Sequence, residues 1–334
     1  MGIKELGSFL QQHCSEAIYD LKLKDKSGCK CAIDVSLFMY RFKYSCGENF
    51  LSKFIEQINR LKLNNITPIY VFDGTPPKEK IDTINERKDK KNDYKEQIKQ
   101  LKETQENNDI SEEQKNIIKT KIDKINKKLI YEKKENINQL KYLLDILNIK
   151  YIHKETEADL INSKLCEEGY VDMVISEDMD HLTSGTKLLL RDFNVNNNIV
   201  KCYDLKKILE CLELTHEKWI DLCILFGCDY LKRIRGMGTN TSYKFIKNNI
   251  DKPIEELLSI IQQTKKCTIP ENYIHEFNNA KKIFINKDTV LTSEDTNFNH
   301  LQFENQISNA ENYLKTYTNL SEKKIKNRLQ NIFK

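Results

Sequence analysis

The run Val174-Ile175-Ser176-Glu177-Asp178-Met179-Asp180 places two carboxylates directly after apolar residues. Met173, Val174 and Ile175 read as the end of a short buried strand. In an open α/β sheet, functional groups collect just beyond the C-terminal ends of the strands. Residues two apart point the same way there, so Asp178 and Asp180 can converge on one cation. Taken alone, such a pair is more often a turn or a helix N-cap. The pattern recurs. Asp34 ends Cys31-Ala32-Ile33, Asp73 ends Ile69-Tyr70-Val71-Phe72, Glu155 and Glu157 follow Lys150-Tyr151-Ile152-His153, and Asp229 comes after Leu222 to Phe226. Seven carboxylates in one cluster would repel one another and raise their own pKa values. Divalent cations relieve that repulsion.

Such a cluster needs a sheet to hold it. The chain has 334 residues, enough for a full core and about two domains. Residues 4–14 read as a short helix, followed by a linker into a strand from Lys30 to Asp34. Ser36 to Tyr44 is helical, Gly47 marks a turn, and Phe50 to Leu63 spaces Phe54, Ile55, Ile58 and Leu61 for one buried helix face. Thr67 to Phe72 is the next strand, which makes a βαβ unit and a mostly parallel α/β sheet. Asp73-Gly74-Thr75-Pro76-Pro77 is a turn suited to opening a helix.

From Lys78 to about Lys134 the composition turns to Lys, Glu, Asn and Gln. Asn107-Asn108-Asp109 breaks the run, and Ser111-Glu112-Glu113-Gln114 forms the N-terminal cap of a second helix. Two long polar helices with a break fit a projecting hairpin or a solvated coiled coil. Their place between two acidic strand ends favours an arch over a site. Asn136 to Leu147 returns to apolar helical spacing, and Ile149 to His153 and Met173 to Ile175 are strands around a helix from Ala158 to Glu167. Lys187 to Asp192 and Asn198 to Tyr203 form a hairpin. Helices follow at Leu205 to Leu212 and Glu217 to Phe226. Arg235-Gly236-Met237-Gly238-Thr239 is a glycine turn into a helix from Ser242 to Asn248, and a basic helix closes the chain from Ser321.

Composition removes several function classes. The chain is 39% apolar and 31% charged with a net charge of +4, a soluble profile whose overall charge alone does not specify nucleic acid. No apolar run approaches the roughly 18 residues of a membrane span. The first residues are charged too early for a secretory signal and lack the Ser or Thr of a myristoylation motif. Ten cysteines are scattered without a CxxC pair, which fits reduced intracellular thiols. The six histidines are isolated, so a nucleophile triad or histidine-bound zinc is unsupported.

In order and spacing, Ala32-Ile33-Asp34-Val35-Ser36, Val71 to Pro77, Glu155-Thr156-Glu157-Ala158, Ser176 to Thr183, Gly227-Cys228-Asp229-Tyr230 and Ile234 to Gly238 resemble the XPG-type structure-specific 5′ nucleases, especially flap endonucleases. The resemblance runs from Met1-Gly2-Ile3 to about Ile254 and more faintly beyond. It implies a PIN-like nuclease core over residues 1–262, with an arch at about 78–134 and a helix–two-turn–helix element at about 217–250. Residues 263–334 would be an extension packing back on that core. Asp73, Glu155 and Glu157 would hold one Mg²⁺ with Asp34 close by, and Asp178, Asp180 and Asp229 a second; Mn²⁺ can substitute. Asp178 and Asp180 thereby serve the chemistry directly. Lys80 and Arg87, seven residues apart on one helix face, would neutralise charge at the scissile phosphate. Tyr40 would stack a base beside the cut. Gly2, Arg233, Arg235, Gly236, Gly238 and Thr239 would contact DNA, the last four through the glycine turn and the helix start behind it.

The same comparison shows departures. Arg233 stands where the family has a small hydroxyl residue that helps hold K⁺ in the hairpin, and its charge opposes that cation. The link from Tyr44 to Phe50 is short beside the family's junction wedge and 3′-flap pocket. Asn327 to Phe333 lacks the leading Gln and paired aromatics of a sliding-clamp motif. The implied protein is a monomeric, intracellular flap endonuclease acting on branched DNA, in the nucleus or another site of replication. Cys228 to Leu231 and Ile269 to Ile274 lean instead toward a 5′→3′ exonuclease of the same family. A non-catalytic junction binder is a third reading, opposed by seven negative charges set beside phosphate.

Overall fold

The structure is a computed structural model describing residues 2–106, 111–129, 134–265, 268–286, 288–297 and 306–333. The break at Asn107-Asn108-Asp109 lies outside these residues. Among the described residues seven strands form one sheet: β1 (Ile18–Lys22), β2 (Lys30–Asp34), β3 (Thr67–Phe72), β4 (Tyr151–His153), β5 (Met173–Ile175), β6 (Leu188–Arg191) and β7 (Ile199–Asp204). Their order is β1-β7-β6-β5-β2-β3-β4. The five strands from β6 to β4 run parallel, and β7 and β1 are antiparallel to their inner neighbours. The chain leaves β2 toward β3 and β4, then returns to place β5 on the other side of β2. That reversal is the switch point where an open α/β sheet builds its crevice. Asp34 and the Asp178/Asp180 pair flank it.

The central strands are almost wholly apolar because both faces are covered. Alternate residues supply two cores. Ala32, Ile69 and Val71 join one with helices α7 (Ala158–Glu167) and α10 (His216–Phe226). Cys31, Ile33, Tyr70 and Phe72 join the other with α2 (Val35–Cys46), α3 (Phe50–Leu63) and α6 (Lys134–Ile146). Pro68 sits in β3 without breaking the sheet. Tyr70 donates to Lys150 where β4 begins, so the missing N–H of Pro68 falls before that strand starts.

The region expected to be a linker after α1 (Leu6–His13) contains β1. Its pattern, with only Leu21 buried, reads poorly as a strand because it is an edge held by pairing with β7. The hairpin of β6 and β7 forms as its alternation indicates. The polar region folds into two helices, α4 (Ile81–Gln105) and α5 (Glu112–Lys128), packed on each other; Ser111 caps α5 as expected, and Gln114 makes the cap a reciprocal capping box. No residue of α4 is buried.

Past α11 (Thr239–Asn248), α12 (Ile254–Lys265) runs across the expected boundary at residue 262. Phe277 and Phe284 of α13 (Tyr273–Ile285) enter the first core, and Leu314 of α15 (Gln306–Tyr317) and Leu329 of α16 (Glu322–Ile332) enter the second. The C-terminal helices therefore pack back on both faces of the sheet.

Candidate active site

Asp34 ends β2 and caps α2, accepting the Ser36 amide at 3.2 Å. Its second oxygen accepts the Ser176 hydroxyl at 3.0 Å, which ties β2 to the loop after β5. The same hydroxyl accepts the Asp178 amide at 3.0 Å, and Asp178 in turn accepts the Asp180 amide at 3.1 Å. Buried His181 lies with Nε2 3.6 Å from Asp34. Burial works to lower its pKa, but Asp34 outweighs this and raises it. Asp73 follows β3 and accepts the Ala158 amide at 2.8 Å, at the start of α7. Gly74 lies so close behind that a Cβ there would sit 1.9 Å from the Lys154 carbonyl oxygen.

The N-terminal residues complete this floor from far away in sequence. The Ile3 amide donates to Asp180 at 2.7 Å, and the Gly2 amide donates to Asp229 at 3.4 Å. Gly2 has φ +81°, and a Cβ on it would lie 2.3 Å from an Asp180 oxygen and 2.5 Å from one of Asp178. Only glycine lets the backbone approach two carboxylates this closely.

Lys80 precedes α4 and reaches back to Glu157 in a very short contact, with Asp229 at 3.7 Å. Arg87, two turns further on, donates to Asp229 at 2.6 Å, and the Thr83 hydroxyl between them donates to the Asp229 carbonyl at 2.7 Å. Glu157 also accepts the Tyr230 hydroxyl at 2.8 Å. Burial alone would lower the Lys80 pKa, but Glu157 reverses this and holds the ammonium charged. These groups enclose a cleft of about 720 Å³ whose floor carries Asp34, Asp73, Glu157, Asp178, Asp180 and Asp229. Arg87, Lys90, Lys91 and Tyr94 of α4 and Lys128 of α5 stand over it.

A further carboxylate, Asp159, lies in the same cleft and was missed in the sequence. Burial and then the Glu157 charge push its pKa up to about 7. Its position two residues beyond Glu157, in the first turn of α7, is the signal that could have found it. Burial likewise raises the pKa values of Asp73, Asp178 and Asp180, with Asp34 adding to the shift of Asp73 and Asp178 to that of Asp180. Among the described residues no three acids close on one point as a finished ligand set. Lys80 and Arg87 supply positive charge there instead. The donor chemistry is nonetheless hard oxygen throughout, crowded and short of countercharge, which suits a divalent cation such as Mg²⁺.

Other expected residues fall elsewhere. Glu155 is exposed and lines an adjoining cleft with Asp73, Gly74, Thr75, His153 and Lys154, outside the one that holds Glu157. Tyr40 borders the main cleft, 45% exposed, with the Tyr44 ring 6.3 Å away. Arg233 is engaged by Glu5 through two bonds, at 3.0 and 3.2 Å, and this pairing lowers the Glu5 pKa. Arg235 and Gly236 are exposed on the turn between α10 and α11, Gly238 caps α11, and Thr239 is its first residue.

Residues 1–94 match the XPG N-terminal domain and residues 148–229 the XPG I-region. Together with the sheet and its acidic crevice, these regions define a nuclease. The chain belongs to the XPG/flap endonuclease family. Flap endonuclease 1 of Enterocytozoon bieneusi is 34% identical over 315 residues, covering 90% of this chain and 82% of that protein. The Debaryomyces hansenii protein of the same name is 32% identical over 313 residues, covering 88% and 79%. The fold matches the catalytic core of Rad2 in complex with DNA substrate over all of both chains, with a TM-score of 0.68 at 21% identity. It also matches flap endonuclease-1 from Methanococcus jannaschii over 95% of both chains (0.66, 20%). Human GEN1 in complex with Holliday junction DNA aligns with 99% of this chain and 77% of its own (0.67, 18%). At these identities the structural likenesses establish the fold alone.

Proposed function

We propose that this protein is a Mg²⁺-dependent structure-specific 5′ nuclease that cuts DNA where a 5′ flap meets duplex, in replication and repair. The observation that carries this reading is the pairing of a carboxylate floor with Lys80 and Arg87 held directly over it. Relatives named flap endonuclease 1, and neighbours solved with DNA, support DNA as the substrate. Asp34, Asp73, Glu155 and Glu157 would hold one Mg²⁺, and Asp178, Asp180 and Asp229 the other. Bound Mg²⁺ pairs would supply a nucleophilic hydroxide and neutralise the leaving oxygen in an in-line displacement at phosphorus.

The protein's own groups do the rest. Lys80 and Arg87, which pair with Glu157 and Asp229 in this structure, would grip the scissile phosphate and offset its developing charge. Tyr40, exposed at the rim, stacks the base next to the cut. The exposed turn from Arg235 to Thr239 offers backbone amides and a helix N-terminus to the duplex phosphates, so shape rather than sequence is read. The arch of α4 and α5 takes the single strand.

The test is product sizing on a 5′-labelled flap substrate with Mg²⁺ and with EDTA. One Mg²⁺-dependent product of about flap length supports the reading. Mononucleotides released from a recessed 5′ end would make it an exonuclease. Tight junction binding with no cleavage under any divalent ion would overturn it.

A further inference from the structure

We propose that Tyr94 is a stacking site inside the arch for one unpaired base of the flap, so the single strand is read by an aromatic face as well as by charge. This rests on the flap-cleavage reading. Helix α4 is mostly polar, and Tyr94 is the single aromatic among its 25 residues. None of its residues is buried, so Tyr94 serves no hydrophobic core there. The ring instead lines the cleft above the carboxylates.

Its neighbours have a common direction. Arg87, Lys90, Lys91 and Tyr94 fall at helical spacing and all four border the cleft. Arg87, at one end of this stripe, is bonded to Asp229. Tyr94 stands seven residues along, about 10 Å by helix rise. From the other arm of the arch, Lys128 places its ammonium 5.0 Å from the centre of the Tyr94 ring. An exposed cation–π contact of this kind is weak and exchangeable. A base stacked on a protein ring contributes more than that contact. An entering nucleobase therefore takes the ring face, and Lys128 turns to a phosphate. An aromatic ring flanked by lysines is the arrangement that holds single strands without regard to sequence. Tyr40 borders the same cleft at its rim, so the two rings would hold bases at separate points of the path.

The alternative is that Tyr94 merely pins α4 to α5. Equilibrium binding of 5′-flap duplexes in EDTA separates the two, with 2-aminopurine placed at successive flap positions. Tyr94→Leu keeps an apolar side chain of similar reach but cannot stack as a ring. It should bind the flapped duplex about tenfold more weakly, lose fluorescence quenching at one flap position, and bind the flapless duplex as the parent does. Tyr94→Phe should retain both signals. An abasic residue at the quenched position should weaken the parent by the same factor and leave Tyr94→Leu unchanged. Unaltered flap affinity in Tyr94→Leu, equal losses with and without the flap, or failure of Tyr94→Phe would overturn the assignment while leaving flap preference intact. A parent protein that binds flapped and flapless duplexes alike would instead overturn the flap reading beneath it.

Discussion

The floor and the arch of the cleft are built on opposite principles. The floor places most of its acids beyond the ends of buried strands, and Asp34, Asp73, Glu157, Asp180 and Asp229 are each gripped by an amide or hydroxyl from a distant segment. Burial and mutual repulsion raise several of their pKa values, so the folded state carries an electrostatic cost that cations would relieve. The arch buries nothing along α4 and is held by helix propensity, the contact with α5 and a few charged contacts to the floor. Bonded, buried acids thus sit below, and an exposed pair of helices with little burial sits above. Geometry is enforced where ångströms matter, while the arch contributes charge whose placement matters less.

The sharpest test of this division is Asp178→Ala. Removing a metal ligand should slow cleavage by about a thousandfold, from several kcal/mol of lost charge stabilisation, while DNA binding holds or tightens. A variant cutting at the parental rate would remove Asp178 from the metal site. Lys80→Ala and Arg87→Ala join arch to floor, and each should cost about a hundredfold in single-turnover cleavage with little change in binding. Collapse of binding in their place would put them among the general phosphate contacts and blur the distinction.

Gly2→Ala probes the floor without touching an acid. The new Cβ must push against Asp178 and Asp180 and adopt a backbone angle costing about 1–2 kcal/mol. Cleavage should fall about tenfold and half-maximal activity should need more Mg²⁺, while the metal-free protein melts roughly a few degrees lower. A parental Mg²⁺ dependence would show that the N-terminal segment does not set the carboxylate geometry.

The smallest effect is a stability one. The folded pKa of Asp159, about 7, lies above its ordinary 3.8. The folded state therefore holds this proton more tightly than the unfolded chain. Its destabilising charge is fully felt above pH 7 and relieved as pH falls toward 4. Metal-free protein should melt higher at pH 6 than at pH 8, and Asp159→Asn should flatten that slope by raising the pH 8 value. Arch substitutions such as Lys91→Ala should leave the slope alone. An equal change from both regions would contradict the contrast.

Much of the floor is legible in the chain because its signal is local. A covered strand or helix must be apolar for several residues, so an acid soon after one stands out, and Asp34, Asp73, Glu157, Asp178, Asp180 and Asp229 do gather in one cleft. The arch is legible for a similar reason, since its composition changes abruptly and Ser111-Glu112-Glu113-Gln114 marks a helix start. Strand β1 was not legible, because an edge strand owes its existence to a distant partner, as Ile18 does to Tyr203. Asp159 was hidden as an ordinary first-turn helix acid, and Glu155, alike in sequence to Glu157, turns into the adjoining cleft. The Glu5 partner of Arg233 and the seating of Gly2 against Asp178 and Asp180 join residues more than 170 positions apart. Periodicity and capping act over a few residues, so the buried strands, the two polar helices and the kind of chemistry could be read from local sequence. Which acids share one cleft, and which backbone atoms hold them there, was decided when packing brought distant segments together.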